Sequence, residues 1–158
     1  MSQLITKSKD DDEPAILNCL RIAFAPYEAV YTTAAFNDTV LNEALIKRRR
    51  AEMTVYVSRL DGELVGTIGC HSVGDAEGHI RGMAVLPEYQ SKGIASQLLE
   101  AAEKQLAKEG CTRITLDTTE PLKQAQRFYE KHGYEPTGQV RDFFGMKLIE
   151  LGKLIRPI

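Results

Sequence analysis

Tryptophan is absent from this 158-residue chain, and cysteine is scarce: three residues lie far apart, with no Cys-x-x-Cys pair. Such spacing favours neither a disulfide framework nor a zinc site, so Cys19, Cys70 and Cys111 are predicted to be small buried apolar residues in a reducing compartment. No apolar run approaches the roughly 20 residues of a membrane span. The glycine patterns of P-loops and dinucleotide-binding folds are missing too.

The chain also has no large excess of charge of either sign, with 20 Lys and Arg against 22 Asp and Glu residues. The net charge of −2 argues against a broadly basic nucleic-acid-binding surface. One basic run, Lys47 to Arg50, ends a predicted helix, where it is expected to complement the helix dipole and stay solvated, with nucleic-acid binding as the alternative. The segment from Met1 to Lys7 lacks the apolar core of a signal peptide, so the protein is expected to be cytoplasmic. The length predicts one domain, residues 1–158.

Hydrophobic periodicity predicts both helices and strands. The helical patterns cover about 13–25, 37–51, 94–109 and 122–131, and the residues between 26 and 33 are predicted to be a loop. The strand patterns cover about 4–7, 53–57, 64–69, 79–86, 113–117, 134–140 and 144–151. Strands that both follow one another directly and are joined by helices predict a mixed α+β sheet.

The segment Gln90 to Ser96 follows the apolar run Met83 to Leu86 and leads into the helix predicted from Ile94. The first N–H groups of a helix lack intrahelical partners and carry the positive end of its dipole, so they attract an anion such as phosphate. Gly93 would allow a ligand close to the backbone. The same pattern fits an ordinary helix start with Ser91 near the cap, and the segment alone leaves both interpretations open.

Two motifs give the chain a family resemblance. The segment Met83 to Ala95 resembles the acyl-coenzyme A signature of the GNAT superfamily of N-acetyltransferases, in which an apolar strand precedes Arg or Gln-x-x-Gly-x-Gly or Ala. The segment Ala125 to Tyr134 is similar to the later motif of that family, a helix with an alanine, a tyrosine four residues on, and then Gly and an aromatic residue. Gln90 replaces the commoner arginine and Ala95 the commoner second glycine.

The resemblance implies a GNAT-like α+β fold in α/β/α layers, with a mixed, mostly antiparallel and twisted sheet of about seven strands flanked by about four helices. It implies acetyl-CoA as co-substrate and no metal. Tyr129 matches the general acid that protonates the leaving thiolate, and a core tyrosine is the alternative. The implied CoA-binding residues are Met83, Ala84, Val85, Gln90, Ser91, Lys92, Gly93, Ile94, Ala95, Ser96, Ala125 and Phe128.

The general base and the acceptor site are less defined. Three alternatives are open for the general base. His79 aligns with a glutamate that family members often carry, and Glu77 lies two residues earlier on the same strand face. Water alone is the third alternative. The acceptor side of the cleft is expected at the first helix pair, where Tyr27, Glu28 and Tyr31 are candidates. Glu28 could attract an ammonium group, and an ordinary surface loop is the alternative for all three.

These expectations combine into an acetyl-CoA-dependent N-acetyltransferase that acts on a primary amine of a small molecule or a protein. The alternative is a non-catalytic acyl-CoA-binding module. Neither a nucleic acid nor a membrane is expected as a partner. The late strand region 143–151 is a candidate edge for a homodimer. The identity of the acceptor and the length of the acyl chain stay open.

Overall fold

A seven-stranded sheet organises the computed structural model, which describes residues 3–158, so that the first two residues of the predicted domain lie outside it. The strands are β1 Gln3–Lys7, β2 Thr54–Leu60, β3 Glu63–Gly74, β4 Glu77–Val85, β5 Arg113–Thr119, β6 Glu135–Phe143 and β7 Met146–Leu154. The α-helices of the described part are α1 Glu13–Phe24, α2 Thr33–Thr39, α3 Glu43–Glu52, α4 Ile94–Lys108 and α5 Lys123–Lys131. The predicted mixed sheet of about seven strands is confirmed.

The stretch predicted as one helix over 37–51 is two helices, which accounts for five helices where about four were expected. The side chain of Asn42 accepts a hydrogen bond from the N–H of Leu45 at 2.9 Å and begins α3. Thr32 does the same for α2 through the N–H of Ala35 at 3.2 Å. Asparagine and threonine side chains satisfy the free N–H groups of a helix start, so a second cap starts a new helix. Residues 25–30, predicted as loop, form a 3₁₀ helix.

The strand order β1-β2-β3-β4-β5-β7-β6 is antiparallel except between β4 and β5, which are parallel. Their pairing extends only from Glu77–Ile80 on β4 to Arg113–Leu116 on β5. Beyond these pairs the two strands continue to Val85 and Thr119 without bonding to each other. The sheet therefore opens in its middle, at the carboxyl ends of its two parallel strands.

The core lies on both faces of the sheet. The β3 residues from Leu64 to Cys70 are buried without interruption, which shows that both faces of that strand are covered. Leu98 and Leu106 of α4 fill the space beside Gly66 and Gly78, and α1 packs against β3 and β4. This is the α/β/α layering that the family resemblance implied. Within residues 3–158 no helix has the length and apolar character needed to cross a membrane.

Two smaller predictions have different outcomes. Cys19, Cys70 and Cys111 are buried free thiols, as predicted, and burial raises the pKa of the first two to about 12. The strand region 143–151 is not the edge of the sheet, because β7 lies between β5 and β6. The free edge at this end is β6, whose side chains are mostly exposed. The sequence patterns predicted the last two strands but could not show which of them pairs with β5.

Candidate active site

A cleft of about 910 Å³ occupies the opening between β4 and β5. Its walls come from the end of α1 and the following 3₁₀ helix, from β4 and the start of α4, and from β5 and α5. Residues of both sequence motifs therefore line one cavity, although about 30 residues separate the motifs along the chain. A cavity of this size with a few convergent polar groups is typical of a ligand site.

Most of the candidate residues line this cleft. They are Tyr129, His79, Met83, Ala84, Val85, Gln90, Ser91, Gly93, Ala95, Ser96, Ala125, Phe128, Tyr27 and Tyr31. Four others lie elsewhere. The carboxylate of Glu77 pairs with Arg113. Ile94 is buried at 2% exposure beside Gly66. The side chains of Lys92 and Glu28 are exposed outside the cavity.

The segment after β4 directs its backbone toward the cleft. Ser91 has φ +64° and Gly93 has φ +83°, both in the left-handed region, and Gly93 caps α4 without a side-chain hydrogen bond. The N–H groups of the first turn of α4 are thus left for solvent or a ligand. Gln90 Nε2 donates to the carbonyl of Val85 at 3.1 Å, which holds the segment against the end of β4. The geometry suits an anion.

The first turn of α4 is also connected to α5. His132 Nδ1 lies 2.8 Å from the carbonyl oxygen of Phe128, and because a carbonyl only accepts, Nδ1 carries the proton. In the neutral imidazole, Nε2 then accepts the hydroxyl proton of Ser96 at 3.0 Å. The Phe128 ring stacks on the imidazole with centroids 4.4 Å apart. These contacts fix the two helices on either side of the cleft.

A β-bulge interrupts β4 where the cleft begins. Thr67 pairs with Ala84 and Gly69 with Arg81, so that two steps along β3 match three along β4. Gly82 lies within the bulge with φ +70°, a conformation that favours glycine. A bulge leaves its extra residue outside the hydrogen-bonded ladder, and here that residue faces the cleft.

Tyr129 is buried at 7% exposure, and its ring packs against Phe128 and Tyr134. Burial raises the pKa of Tyr129 above its ordinary value, so the hydroxyl stays protonated. The described residues offer this hydroxyl no hydrogen bond, whereas the hydroxyl of Tyr134 donates to Glu103 Oε2 at 2.7 Å. An unsatisfied tyrosine hydroxyl at the wall of a cleft is a donor available to a ligand.

His79 pairs with Thr115 of β5, one residue before the last pair between β4 and β5. Its Nδ1 is 3.0 Å from Thr115 Oγ1, and its Nε2 is 3.6 Å from Asp117 Oδ2. Burial lowers the pKa of His79, partly offset by the negative charge of Asp117, so the ring is neutral near pH 7. The other oxygen of that carboxylate, Oδ1, is buried without a hydrogen bond and lies 3.5 Å from Arg141 Nη2. This arrangement can accept a proton and stabilise the resulting imidazolium.

The segment between α1 and α2 crosses the cleft. The hydroxyls of Tyr31 and Thr119 are 2.5 Å apart in a buried contact with β5, and burial raises the pKa of Tyr31. Next to it, Thr32 Oγ1 donates to the carbonyl of Phe144 at 2.8 Å, in the turn between β6 and β7. These two bonds attach one wall of the cleft to the other.

Several residues of the cleft were not predicted from the sequence: Asp38, Arg49, Arg81, Asp117, Thr119 and His132. The basic run was expected to be solvated, and this is wrong for Arg49 and Arg50. Arg50 pairs with Asp10 and Glu13 at 2.8 and 2.6 Å. Arg49 faces the cleft, three residues after the buried Ile46, and that helical spacing was the signal that could have identified it.

No cluster of three or more His, Cys, Asp or Glu residues within 3–158 is arranged to hold a metal ion. The groups of the cleft are donors, acceptors and a neutral imidazole, supplied by both motifs. Such groups suit the binding of a phosphorylated ligand at the loop end and the movement of protons at the strand end.

Several known proteins have the same fold. The Escherichia coli ribosomal-protein-S18-alanine N-acetyltransferase is similar with a TM-score of 0.78 at 19% identity, over 98% of this chain and 95% of that one. The PaiA N-acetyltransferase of Thermoplasma acidophilum, in complex with coenzyme A, gives 0.77 at 21% identity over 98% and 100%. A GNAT family acetyltransferase from Elizabethkingia anophelis with acetyl-CoA bound gives 0.71 at 16% over 97% and 98%.

At these identities the structural matches show the fold. The sequence model of the acetyltransferase (GNAT) family matches residues 16–134, from the first helix through both motifs. Because that match extends over more than half of the described sequence, the chain belongs to the acetyltransferase (GNAT) family.

Proposed function

We propose that this protein transfers an acetyl group from acetyl-CoA to a primary amine by direct attack of the amine on the thioester. The observation that carries the proposal is the single cleft, which joins the segment from Gln90 to Ser96 with Tyr129 and His79. Family membership supports the acetyl-transfer chemistry. Two proteins of the same fold, at 21% and 16% identity, have CoA or acetyl-CoA bound.

The CoA pyrophosphate would bind at the first turn of α4, on backbone N–H groups that no side chain caps. Lys92 is exposed outside the cleft, so the backbone and the helix dipole would supply most of the stabilisation. The pantetheine arm would extend along β4 toward the bulge. There the backbone N–H groups of residues 83–85 would bind the arm and the thioester carbonyl, the negative oxygen of which must be stabilised during attack.

His79 is the proposed base. In the tautomer that donates Nδ1–H to Thr115 Oγ1, the lone pair of Nε2 can accept a proton from the amine, and Asp117 stabilises the imidazolium. The amine nitrogen forms a bond to the carbonyl carbon, and the carbon–sulfur bond then breaks. Glu77 is a poor alternative because Arg113 occupies its carboxylate. A water relay to solvent remains the alternative to direct transfer.

Tyr129 is the proposed acid for the leaving sulfur. Burial raises the pKa of the phenol, which alone would disfavour proton transfer to an ordinary thiolate. The same desolvation acts on a thiolate in the cleft, just as it raises the pKa of the buried Cys19 thiol to about 12. The hydroxyl therefore donates a hydrogen bond to sulfur as charge develops and passes its proton there. Solvent then returns a proton to the phenolate and removes one from His79.

The test follows acetyl-CoA and a panel of amines by release of free thiol, with mass spectrometry of the products. The binding of CoA is measured separately by isothermal titration calorimetry. We expect CoA binding together with an N-acetylated product for at least one amine. CoA binding without any acetylated amine would favour the alternative, a non-catalytic acyl-CoA-binding module, and absence of CoA binding would contradict both.

A further inference from the structure

Arg49 lies in the last turn of α3, with its guanidinium at the β4 bulge. A Cβ on Gly82 would collide with Nη1 and would lie 3.3 Å from Cζ, so the guanidinium occupies the space that a side chain would fill at that position. Arg49 lines the cleft together with Gly82. It is half-buried, and burial together with the nearby positive charge of Arg81 lowers its pKa to about 10, which still leaves it charged at neutral pH.

The neighbouring cations have partners within the chain. Lys47 pairs with Glu13 at 2.6 Å and Arg48 with Glu52 at 3.0 Å. In the cleft itself, Arg81 pairs with Asp38 at 3.0 Å. Across the described residues, the guanidinium of Arg49 has neither a hydrogen bond nor a carboxylate within 4.0 Å.

The negative charge of Asp38, which pairs with Arg81, favours the charged form of Arg49, but the half-buried guanidinium loses hydration without gaining a hydrogen bond. The expected compensation is an anion that arrives with a ligand. The planar guanidinium matches a carboxylate with two parallel hydrogen bonds, a geometry that a single ammonium group lacks.

The position of Arg49 identifies which ligand carries that anion. The proposed pyrophosphate site follows the end of β4, after Val85, whereas Gly82 lies between that end and His79. The guanidinium is therefore beside the place where the acetyl group and the acceptor meet. An acceptor with only an ammonium group would be repelled there, and an acceptor with its own carboxylate would be attracted.

The size of the acceptor follows from the segment that crosses the cleft. The bonds from Tyr31 to Thr119 and from Thr32 to Phe144 connect this segment to β5 and to the β6–β7 turn. An extended protein segment entering from that side would have to break both bonds. A small molecule would not.

We propose that the acceptor is a small amine that carries a carboxylate, of the amino acid class, and that Arg49 binds this carboxylate. The inference rests on the proposed acetyl transfer and makes its acceptor specific. The amine of such a molecule would lie toward His79, on the far side of the bulge from the CoA-binding segment.

The experiment compares each L-amino acid with its own carboxamide, which keeps the side chain and the primary amine and removes the charge. The variants are wild type, Arg49→Gln and, as the matched control, Arg48→Gln on the exposed face of the same helix. For the best pair, we expect kcat/KM to be roughly 10- to 100-fold higher for the acid, as for a charged hydrogen-bonded pair. Arg49→Gln should bring the acid-to-amide ratio of kcat/KM near one. Arg48→Gln should keep the wild-type ratio, and neither variant should change the Kd of CoA.

A binding measurement keeps the inference testable without turnover. With CoA present, wild type should bind N-acetyl amino acids more tightly than N-acetyl amino acid amides. Arg49→Gln should bind the two with equal affinity. If this holds but no amine is acetylated, the proposed function fails and the carboxylate site stands. If amines without carboxylate are the better substrates, or if Arg49→Gln lowers turnover of acids and amides equally, the carboxylate site is wrong and acetyl transfer stands. Thermal unfolding of each variant shows whether it is folded.

Discussion

Replacing Tyr129 by phenylalanine separates chemistry from stability in this cleft. Phenylalanine keeps the ring that packs against Phe128 and Tyr134, and it removes a hydroxyl that has no hydrogen bond within residues 3–158. The free energy of unfolding should therefore change by less than about 1 kcal/mol. If the hydroxyl protonates the leaving thiolate, turnover should fall by about 10²- to 10⁴-fold, or about 3 to 5 kcal/mol of barrier.

Tyr134→Phe is the matched control, because it makes the same chemical change at a neighbouring buried ring. The hydroxyl of Tyr134 donates to Glu103 at 2.7 Å, and Glu103 keeps a second partner, Lys153, at 2.9 Å. The loss should therefore be about 1 to 2 kcal/mol of stability, or a Tm lower by about 2 to 8 °C. Turnover should stay within about twofold, since a hydroxyl bonded to Glu103 has no part in the proposed chemistry.

The assay measures thiol release with acetyl-CoA and the best amine at saturation, with calorimetry for the Kd of CoA and for thermal unfolding. We expect Tyr129→Phe to lose turnover and keep stability, and Tyr134→Phe to do the reverse, with both variants binding CoA like the wild type. Equal turnover for Tyr129→Phe and wild type would refute the acid role. A large loss of stability in Tyr129→Phe would show that its hydroxyl has a structural partner.

Three further changes test other parts of the cleft. Because burial lowers the pKa of His79, the unfolded chain binds more protons than the folded chain below about pH 6.5. The free energy of unfolding of wild type should therefore fall relative to that of His79→Gln as the pH drops below that value. The same pH dependence of unfolding in both proteins would contradict this burial. Gly82→Ala should cost about 1 to 2 kcal/mol because φ is +70°, whereas the contact of its Cβ with Arg49 Nη1 can be relieved by movement of that flexible side chain. Denaturant titration should therefore find the same loss in an Arg49→Ala background, and a smaller loss there would show that the contact with Arg49 also contributes. Tyr31→Phe removes the 2.5 Å hydrogen bond to Thr119 and should lower the free energy of unfolding by about 0.5 to 1.5 kcal/mol. Hydrogen exchange of residues 25–33 should become faster. Unchanged exchange would show that this bond does not hold the segment.

The local elements were predictable where periodicity and caps agree. The apolar spacing of α4 predicted both its length and its buried face, and Gly110, which follows the end of the helix, has the left-handed φ of +86° typical of a helix C-terminus. The region 37–51 was misjudged because its periodicity is weak, and the capping side chain of Asn42 decides the boundary. The expectation that the region 143–151 forms an edge of the sheet was wrong. Strand order depends on pairing between distant segments, which sequence patterns do not encode.

The sequence by itself determined which segments are the proposed binding site for the acetyl donor, acetyl-CoA. A strand, a loop with Gly93 and an uncapped helix start are local features, and the two motifs that carry the family resemblance lie within short segments. Only the tertiary structure supports the proposed acceptor site, because that site depends on contacts between residues far apart in the chain. Arg49 is one of four adjacent basic residues in the sequence, and only the folded chain places its guanidinium beside Gly82 of β4 without a hydrogen-bond partner.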